Sequence, residues 1–583
     1  ASFGTDGAGG VINIILKSNE RTGTFLTTSH SLSYWKNIRQ NSDISFSFNK
    51  SKWQLGLNYS HSLGHYAMKY GFEKVQDGNK SISETSDTDK RNTYSVGVDF
   101  SWQPNQKNKL YFNSTMNLLV GPGLTETTTQ VYNGTSTLDG ILKARNDYVK
   151  QKTIQYNNSI NYLYQPSESH QLSFSVDWTH FDGKARCKQP NDFSSNNILI
   201  RSDLFYSQPD KDIDIYALLA DYKYKPNAQN EWLIGAKTSL IKSNNIFLFK
   251  KNGLIDSQRS NRFKYNEDNI ETYVQYTLSL NKLELSTGLR MEYMYTNNKL
   301  HSYANQLIEE NNRKKLNLFP NMSVSYAFND KNKVALLYSR RQDKPRYEDL
   351  NPFEYLLDEL SYWKGNPFLK PQISNKIILN YTWSSLSLSL YYNKLDDYFT
   401  SLTDVFEHNK TIMTTKNIGT QQQIGLEAVY SKRLTSWWEI NSNIGFYYFD
   451  NKLNYENYKQ EYKRPSCFLS ANNNFHLPLG IDLELSGRYY SKRQGGSYEV
   501  NKSTGGIDID LNKSWNNNRF RLSLLMTDLL HTERWDSYGI KDSLNLSSWG
   551  YGESRKIMLR FTYSVGKQKF EKEEKNLEEL KRL

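Results

Sequence analysis

Apolar and polar residues alternate along most of this chain. The run from Leu172 to Trp178 has an apolar side chain at every second position, and the runs that begin at Trp53, Leu283 and Ile557 repeat the pattern. A period of two predicts β-strands with one apolar and one polar face. These runs last about 10–14 residues, which suits a tilted strand crossing a bilayer better than the roughly 5–6 residues usual in soluble sheets. We therefore expect the apolar faces to point outward, as for Leu172, Phe174, Val176 and Trp178.

The connections between these runs alternate strictly between short and long. Tight polar turns lie at residues 50–52, 104–107, 165–169, 225–229, 281–282, 329–332, 384–385 and 516–518. Longer polar segments, such as residues 66–90 and 121–148, lie between the turns. All short turns then lie at one end, so the chain is predicted to be all-β: a transmembrane antiparallel β-barrel of about 22 strands with short periplasmic turns and long extracellular loops. Outer-membrane barrels of about 22 strands are transporters with a plugged lumen.

The composition is compatible with such a barrel. Only 37% of the 583 residues are hydrophobic, and mean hydropathy is -0.75. Half of each barrel strand faces a wet lumen, however, and the aromatic residues, 14% here, form girdles. The net charge of +12 is dispersed, which favours contact with anionic lipid or an anionic ligand over nucleic acid. The 2 cysteines, Cys187 and Cys467, give neither a disulfide framework nor a metal cluster.

The first segment of the chain carries a family resemblance. Gly7-Ala8-Gly9-Gly10-Val11-Ile12-Asn13-Ile14-Ile15-Leu16-Lys17 is a glycine-rich turn followed by a short apolar strand. It resembles the last strand of the plug domain of TonB-dependent receptors, the segment just before the barrel. The resemblance implies that residues 1–17 are the end of a plug and residues 18–567 the barrel. We expect residues 568–583, which are highly charged, to form a solvated periplasmic tail.

A second resemblance lies in the segment from Arg340 to Gln372. Its motif Arg-x-x-x-Pro-x-Tyr-x-x-Leu-Asn-Pro-Phe, starting at Arg341, and the later Gly-Asn-Pro-x-Leu-Lys-Pro, starting at Gly365, look like the mid-barrel loop of TonB-dependent receptors. Four prolines favour a stiff loop over a strand. Aromatic faces can stack on a ligand and arginines can hold a carboxylate or phosphate. The candidate ligand contacts are therefore Trp363, Tyr362, Phe353, Tyr355, Arg341 and Arg346. The alternative is that the aromatics pack on one another to keep an external loop folded.

Ionisable residues on the polar faces of the strands are predicted to point into the lumen. These are Glu284, Arg290, Glu292, Arg488, Asp508 and Asp510. They would contact a plug or a substrate, or would be solvated in a wet lumen. Since only residues 1–16 remain of the expected plug, the sequence predicts a large open lumen.

No enzyme signature stands out in the sequence. The 9 histidines are scattered without a His-Glu-x-x-His motif, and neither a Gly-x-Ser-x-Gly elbow nor a phosphate loop is present. We expect no catalytic site, no metal and no cofactor. The resemblance implies import of a scarce ligand (siderophore, glycan, peptide or similar) across the cell outer membrane. Expected partners are outer-membrane lipid and lipopolysaccharide, the ligand, and TonB through an upstream plug region, because the chain starts inside a motif. The alternative is a passive or structural barrel without TonB coupling.

Overall fold

The computed structural model describes residues 23–406, 410–456, 458–566 and 578–583. The expected plug segment, residues 1–17, lies outside the described residues. Within them the chain is almost entirely β-strand. One short α-helix, α1, spans Tyr347–Leu350, and single 3-10 turns span Pro478–Gly480 and Glu578–Arg582.

The strands in chain order are β1 Gly23–Tyr34, β2 Ile38–Lys50, β3 Trp53–Gln76, β4 Asn79–Lys90, β5 Asn92–Asn105, β6 Asn108–Val120, β7 Gly123–Asn133, β8 Thr137–Ser167, β9 His170–Ser195, β10 Ile198–Tyr224, β11 Asn230–Lys251, β12 Leu254–Ile255, β13 Asn261–Leu280, β14 Leu283–Ser302, β15 Leu307–Asn329 and β16 Asn332–Asp343. The remaining strands are β17 Glu354–Asp358, β18 Ser361–Lys364, β19 Gln372–Trp383, β20 Leu386–Phe406, β21 Lys410–Arg433, β22 Trp438–Tyr455, β23 Tyr458–Leu477, β24 Ile481–Tyr490, β25 Arg493–Gln494, β26 Val500–Asn501, β27 Thr504–Trp515, β28 Phe520–Thr527, β29 Trp535–Lys541, β30 Leu544–Tyr551 and β31 Lys556–Gly566.

In the described part of the chain, 22 of these strands form one closed antiparallel barrel, as predicted. The barrel closes where β31 pairs with β1, from Phe25 opposite Gly566 to Tyr34 opposite Ile557. Closure gives every wall strand a partner strand on both sides, which is the condition for a sheet to cross a membrane. The strands outside the wall are β4, β7, β12, β17, β18, β25, β26, β29 and β30.

The two rims of the barrel differ as the sequence predicts. Between β2 and β3 only two residues intervene, and the same is true between β13 and β14 and between β19 and β20. Residues 516–518 of another such turn are all asparagines with positive φ, a backbone conformation that asparagine tolerates better than most residues. At the opposite rim the wall strands run on into hairpins such as β3–β4 and β7–β8, which extend beyond the wall. We call these ends the short-turn rim and the long-loop rim.

The wall has an apolar outer face and a polar inner face. On β9, Phe174 and Val176 are exposed at 48% and 50%, while Ser175 between them is 3% exposed. The prediction that the apolar residues of this strand point outward is confirmed. No helix among the described residues is long and apolar enough to cross a membrane.

The last six residues of the chain differ from the prediction. Residues 578–583 were expected to belong to a solvated tail, yet Glu579 and Arg582 are buried, with partners on the inward faces of β11 and β13. The prediction is wrong for these six residues because Glu579 and Arg582 form ion pairs with oppositely charged residues of the inner wall. Pattern along the sequence shows only that the segment is charged. The rest of the predicted tail lies outside the described residues.

Candidate functional site

The inner loop, which we define as residues 344–371, is the segment that fills the lumen. It connects β16 to β19 and contains α1 and the hairpin of β17 and β18. β15 and β16 pair only as far as Asn321 opposite Ser339, so the end of β16 has lost one wall neighbour. The upper part of β15 is held to the inner loop instead, because Arg313 donates to the carbonyl oxygens of Leu369 at 3.0 Å and Phe368 at 3.2 Å. The chain thus leaves the wall at this point and enters the barrel.

Apolar packing anchors the first half of the inner loop to the wall. Tyr347, Leu350, Phe353 and Leu369 are buried in one cluster with inward-facing side chains of β10, β11 and β13. The ring of Phe353 stacks on that of Phe247, with centroids 4.8 Å apart. Full burial of one such side chain contributes about 1.5–3 kcal/mol. The cluster therefore fixes where the loop lies.

The hairpin at the centre of the inner loop is held from two distant sides of the barrel. On one side, Gln189 of β9 donates to the carbonyl oxygen of Leu357 at 3.2 Å, and Thr129 donates to Asp358 at 2.8 Å. On the other side, β18 pairs in parallel with β21, Tyr362 lying opposite Ile412. Since β9 and β21 are well separated around the wall, the inner loop spans the lumen.

Burial also changes the pKa of one carboxyl group in the hairpin, that of Asp358. Asp358 accepts a hydrogen bond from the Leu360 amide at 2.9 Å as well as the one from Thr129. Burial raises the pKa of the Asp358 carboxyl, and these hydrogen bonds together with the charge of Lys74 oppose that rise. The Asp358 carboxyl therefore stabilises the hairpin and its contact with β7, since its two donors, Leu360 and Thr129, belong to the hairpin and to β7.

The candidate ligand contacts are distributed unevenly over the inner loop. Phe353 and Tyr362 are 0% and 3% exposed, so neither ring is accessible to a ligand in this structure. They pack inside the loop and against the wall. Tyr355 and Trp363 are half-buried, with ring centroids 5.8 Å apart. Arg346, just before α1, is exposed.

Arg341, the sixth candidate, lies in β16 opposite Ser374. Its side chain is half-buried, and within the described ranges its Nη1 atom is buried without a hydrogen-bond partner. Three candidates, Tyr355, Trp363 and Arg346, thus remain accessible on the inner loop.

Charged side chains form a network on the inner wall beside the loop. Lys344 lies 3.0 Å from Glu292 and 3.4 Å from Glu267. Arg290 lies 3.0 Å from Glu271. All five are nearly inaccessible to solvent. The predicted lumen residues Arg290 and Glu292 are therefore buried in ion pairs and not solvated.

The C-terminal segment, residues 578–583, completes this network. Glu579 accepts a hydrogen bond from Lys237 at 2.9 Å. Arg582 pairs with Glu267, donates to the carbonyl oxygen of Pro345 at 3.0 Å and lies over the ring of Tyr347 at 4.3 Å. The predicted open lumen is therefore wrong for this part of the barrel, because the inner loop and the C-terminal segment occupy it.

The other predicted lumen residues lie elsewhere on the wall. Arg488 pairs with Asp508 at 2.6 Å and also with Glu533. Asp510 is half-buried on the same face of β27 as Asp508, and Glu284 is exposed near the short-turn rim. The structure does not bring these residues to the inner loop.

Besides Glu579 and Arg582 of the C-terminal segment, sequence reasoning missed four members of the charged network: Lys237, Glu267, Glu271 and Lys344. For Glu267 and Glu271 the signal was present in β13, where Ile270, Thr272 and Val274 form the outward face. Alternation then places Glu267 and Glu271 on the inner face. Arg582, the C-terminal partner of Glu267, left no comparable signal. The two residues lie 315 positions apart in the sequence, and no local repeat indicates a contact over that distance.

One group of side chains has the composition of a metal site. Ligand atoms of His180, Asp212 and Asp214 lie within 4.8 Å of one another. His180 Nδ1 is already hydrogen-bonded to Asp214 at 3.0 Å, and Asp212 is exposed. We assign no metal to this group.

Comparison with known proteins agrees with this architecture. A family model described as Outer membrane protein beta-barrel family matches residues 165–563. A sequence search of the curated proteins found no significant match.

The titles of solved structures with a similar fold name receptors and transporters. The siderophore receptor PirA from Pseudomonas aeruginosa is 14% identical, with a TM-score of 0.55 and coverage of 97% of this chain and 84% of that chain. The ferric yersiniabactin uptake receptor FyuA from Yersinia pestis is 10% identical, with a TM-score of 0.60 and coverage of 94% and 81%. The copper transporter OprC is 11% identical, with a TM-score of 0.62 and coverage of 94% and 84%.

These likenesses concern the fold, and they agree with the predicted closed antiparallel barrel. The family match extends over more than half of the residues and locates the protein in the outer membrane. The chain belongs to the outer membrane protein beta-barrel family.

Proposed function

We propose that this chain forms the barrel of a TonB-dependent transporter that imports a scarce ligand across the outer membrane. The observation that carries the proposal is the closed 22-strand wall with a folded inner loop across its lumen. A barrel of this width cannot be filled by its own wall side chains, and barrels of this size serve as plugged transporters. The titles of the similar structures, which name siderophores and copper, support transport of a scarce nutrient. The ligand class stays open among siderophores, glycans, peptides and similar molecules.

The inner loop would form the floor of the ligand site in this proposal. Trp363, Tyr355 and Arg346 offer two aromatic rings and one cation on a segment fixed by prolines. A stiff segment loses little entropy on binding, so such rings are suited to be anchors. Entry of a ligand into the cell would then need rearrangement of the lumen contents, driven by TonB acting on a plug region upstream of the barrel.

The test compares uptake in cells that lack this protein, cells that lack TonB, and cells that lack both. The probes are a panel of radiolabelled ferric siderophores, oligosaccharides and peptides at limiting concentration. We expect uptake of one probe to be saturable in unmodified cells. That uptake should be lost to the same extent in all three mutant strains. The alternative, a passive or structural barrel, predicts uptake that is not saturable and does not depend on TonB. That outcome would replace the proposal.

A further inference from the structure

The outer surface of the barrel carries a groove near the long-loop rim, where β23, β24 and β27 lie side by side. Its floor consists of Ala471, Gly487 and Gly505, and its volume is about 770 Å³. A Cβ atom placed on Gly487 would meet no atom within 4 Å. Elsewhere this face carries large apolar side chains. The small residues therefore leave a depression, which we call the wall groove, in a surface that faces lipid.

Apolar side chains border the wall groove. Leu469 and Tyr489 are exposed on neighbouring strands, and Leu530 is exposed on the segment between β28 and β29. That segment lies against β27, since the Leu529 amide donates to the carbonyl oxygen of Ile507 at 2.9 Å. A groove of this lining accepts hydrocarbon and excludes polar solutes.

A cluster of cations begins where the wall groove ends. Arg534 lines the groove, and its guanidinium carbon lies 5.4 Å from the ring centroid of Tyr551. The Lys36 Nζ atom lies 5.8 Å from the same ring, and Arg555 lies 5.6 Å from the ring of Trp35. All three cations are exposed. Throughout the described ranges none of the three has an acidic partner within ion-pair distance.

Aromatic contacts hold the cation cluster together. The ring of His531 lies 5.3 Å from Trp35 and 5.7 Å from Tyr551, and Arg534 donates to the His531 carbonyl oxygen at 3.2 Å. Cation–π contacts leave the N–H groups of a guanidinium or ammonium available for an anion. Three cations without acidic partners around two aromatic rings are suited to contact phosphate oxygens.

We propose that the wall groove and the cation cluster together bind the acylated, phosphorylated glycolipid of the outer leaflet. An acyl chain lies in the groove over Gly487, and the phosphate groups of the sugar headgroup contact Arg534, Arg555 and Lys36. A neutral lipid would use only the groove, and a free phosphate only the cations. Arg534 belongs to both the wall groove and the cation cluster. The two features therefore suit one molecule that has both an acyl chain and a phosphate group. Long loops of outer-membrane barrels lie outside the cell, so this rim lies at the level of that headgroup.

The experiment measures retention of radiolabelled, hexa-acylated, bisphosphorylated lipid A by the purified full chain during detergent exchange. We expect the unmodified chain to keep about one lipid A per molecule. The triple variant Lys36→Ala/Arg534→Ala/Arg555→Ala should retain at least fivefold less. Gly487→Leu, whose Cβ atom would meet no other atom within 4 Å and whose side chain would occupy the groove, should also lower retention. Dephosphorylated lipid A should be retained poorly by every form.

Two controls separate this site from general lipid contact. Lys250→Ala/Lys314→Ala removes two other cations that lie over tyrosine rings, Tyr206 and Tyr295. Ala428→Leu enlarges a side chain on another strand. Neither control should change retention. Equal retention by all forms would overturn the proposal in favour of a non-specific lipid shell. Loss in the triple variant with none in Gly487→Leu would overturn it in favour of a phosphate site alone.

Discussion

Arg582 and Glu267 form a two-armed ion pair inside the barrel. Arg582 Nη1 donates to Glu267 Oε1 at 2.9 Å, and Arg582 Nη2 donates to Glu267 Oε2 at 3.0 Å. Both side chains are buried. Removal of one member of a buried pair costs about 3–5 kcal/mol when the other charge is left without compensation; here Lys344, 3.4 Å from Glu267, keeps part of that compensation. This pair therefore anchors the last residues of the chain to the inner wall.

Substitution of Arg582 should release the C-terminal segment. Because Lys344 remains beside Glu267, we expect the lower end of that range, about 3 kcal/mol, which corresponds to a shift on the order of a hundredfold toward the released state. Planar-bilayer recordings should then show longer and more frequent open events for Arg582→Ala. Lys581→Ala is the matched control, because Lys581 is an exposed neighbour. Identical recordings for Arg582→Ala and the unmodified chain would show that the segment does not restrict the lumen.

The same segment should be released at low pH. Burial raises the pKa of the Glu579 carboxyl, but the charges of Lys237 and Lys344 and the hydrogen bond from Lys237 outweigh burial, so the net pKa lies below the ordinary value. A lowered pKa contributes stability above the ordinary value of about 4.3 for glutamate, and this contribution is lost as the pH falls through the lowered value. Conductance should therefore rise as the pH falls below the ordinary glutamate value of about 4.3.

Glu579→Gln isolates this effect from other acidic groups of the wall. Its conductance should already be raised at pH 7 and should change less on acidification. A rise of conductance toward alkaline pH, or the same acid profile in Glu579→Gln as in the unmodified chain, contradicts the assignment.

Phe353 should hold the inner loop to the wall. Truncation of a fully buried phenylalanine costs about 3–5 kcal/mol, and here the loss falls on the contact with Phe247. Limited proteolysis of Phe353→Ala should cut within residues 344–371 at least tenfold faster, while the heat resistance of the barrel stays unchanged because its ladder is intact. Phe368→Ala is the control, since Phe368 is 47% exposed. Equal cleavage of the two variants would refute the role of Phe353.

Trp363 should contribute to ligand binding. Truncation of an aromatic anchor to alanine typically costs about 2 kcal/mol or more of binding free energy, which is a loss of more than tenfold in affinity. Trp363→Ala should therefore raise the concentration for half-maximal uptake of the transported probe at least tenfold. Trp437→Ala, an exposed tryptophan at the short-turn rim, should leave it unchanged. If uptake by Trp363→Ala is normal, or if the variant fails to assemble, Trp363 is a structural residue.

The sequence by itself determined the wall of this protein. Alternation, as in Leu172 to Trp178, has a period of two residues, and a strand exposes its two faces with the same period. Turn residues such as Asn516 to Asn518 show where the chain reverses, because they accept positive φ. These signals are local, so they are legible without any knowledge of distant residues. They predicted the closed barrel, its two rims and its outward face.

The tertiary structure alone decided what lies inside that wall. Phe353 and Tyr362 were candidate ligand contacts in a loop expected to be external, but both are buried inside the barrel, Phe353 against Phe247 of the wall. Arg582 and Glu267 are each ordinary charged residues in sequence, and their pairing depends on the closure of the barrel around them. Burial of the inner loop and pairing of these charges depend on distances across the lumen. The local pattern of apolar and polar residues in the sequence does not report those distances.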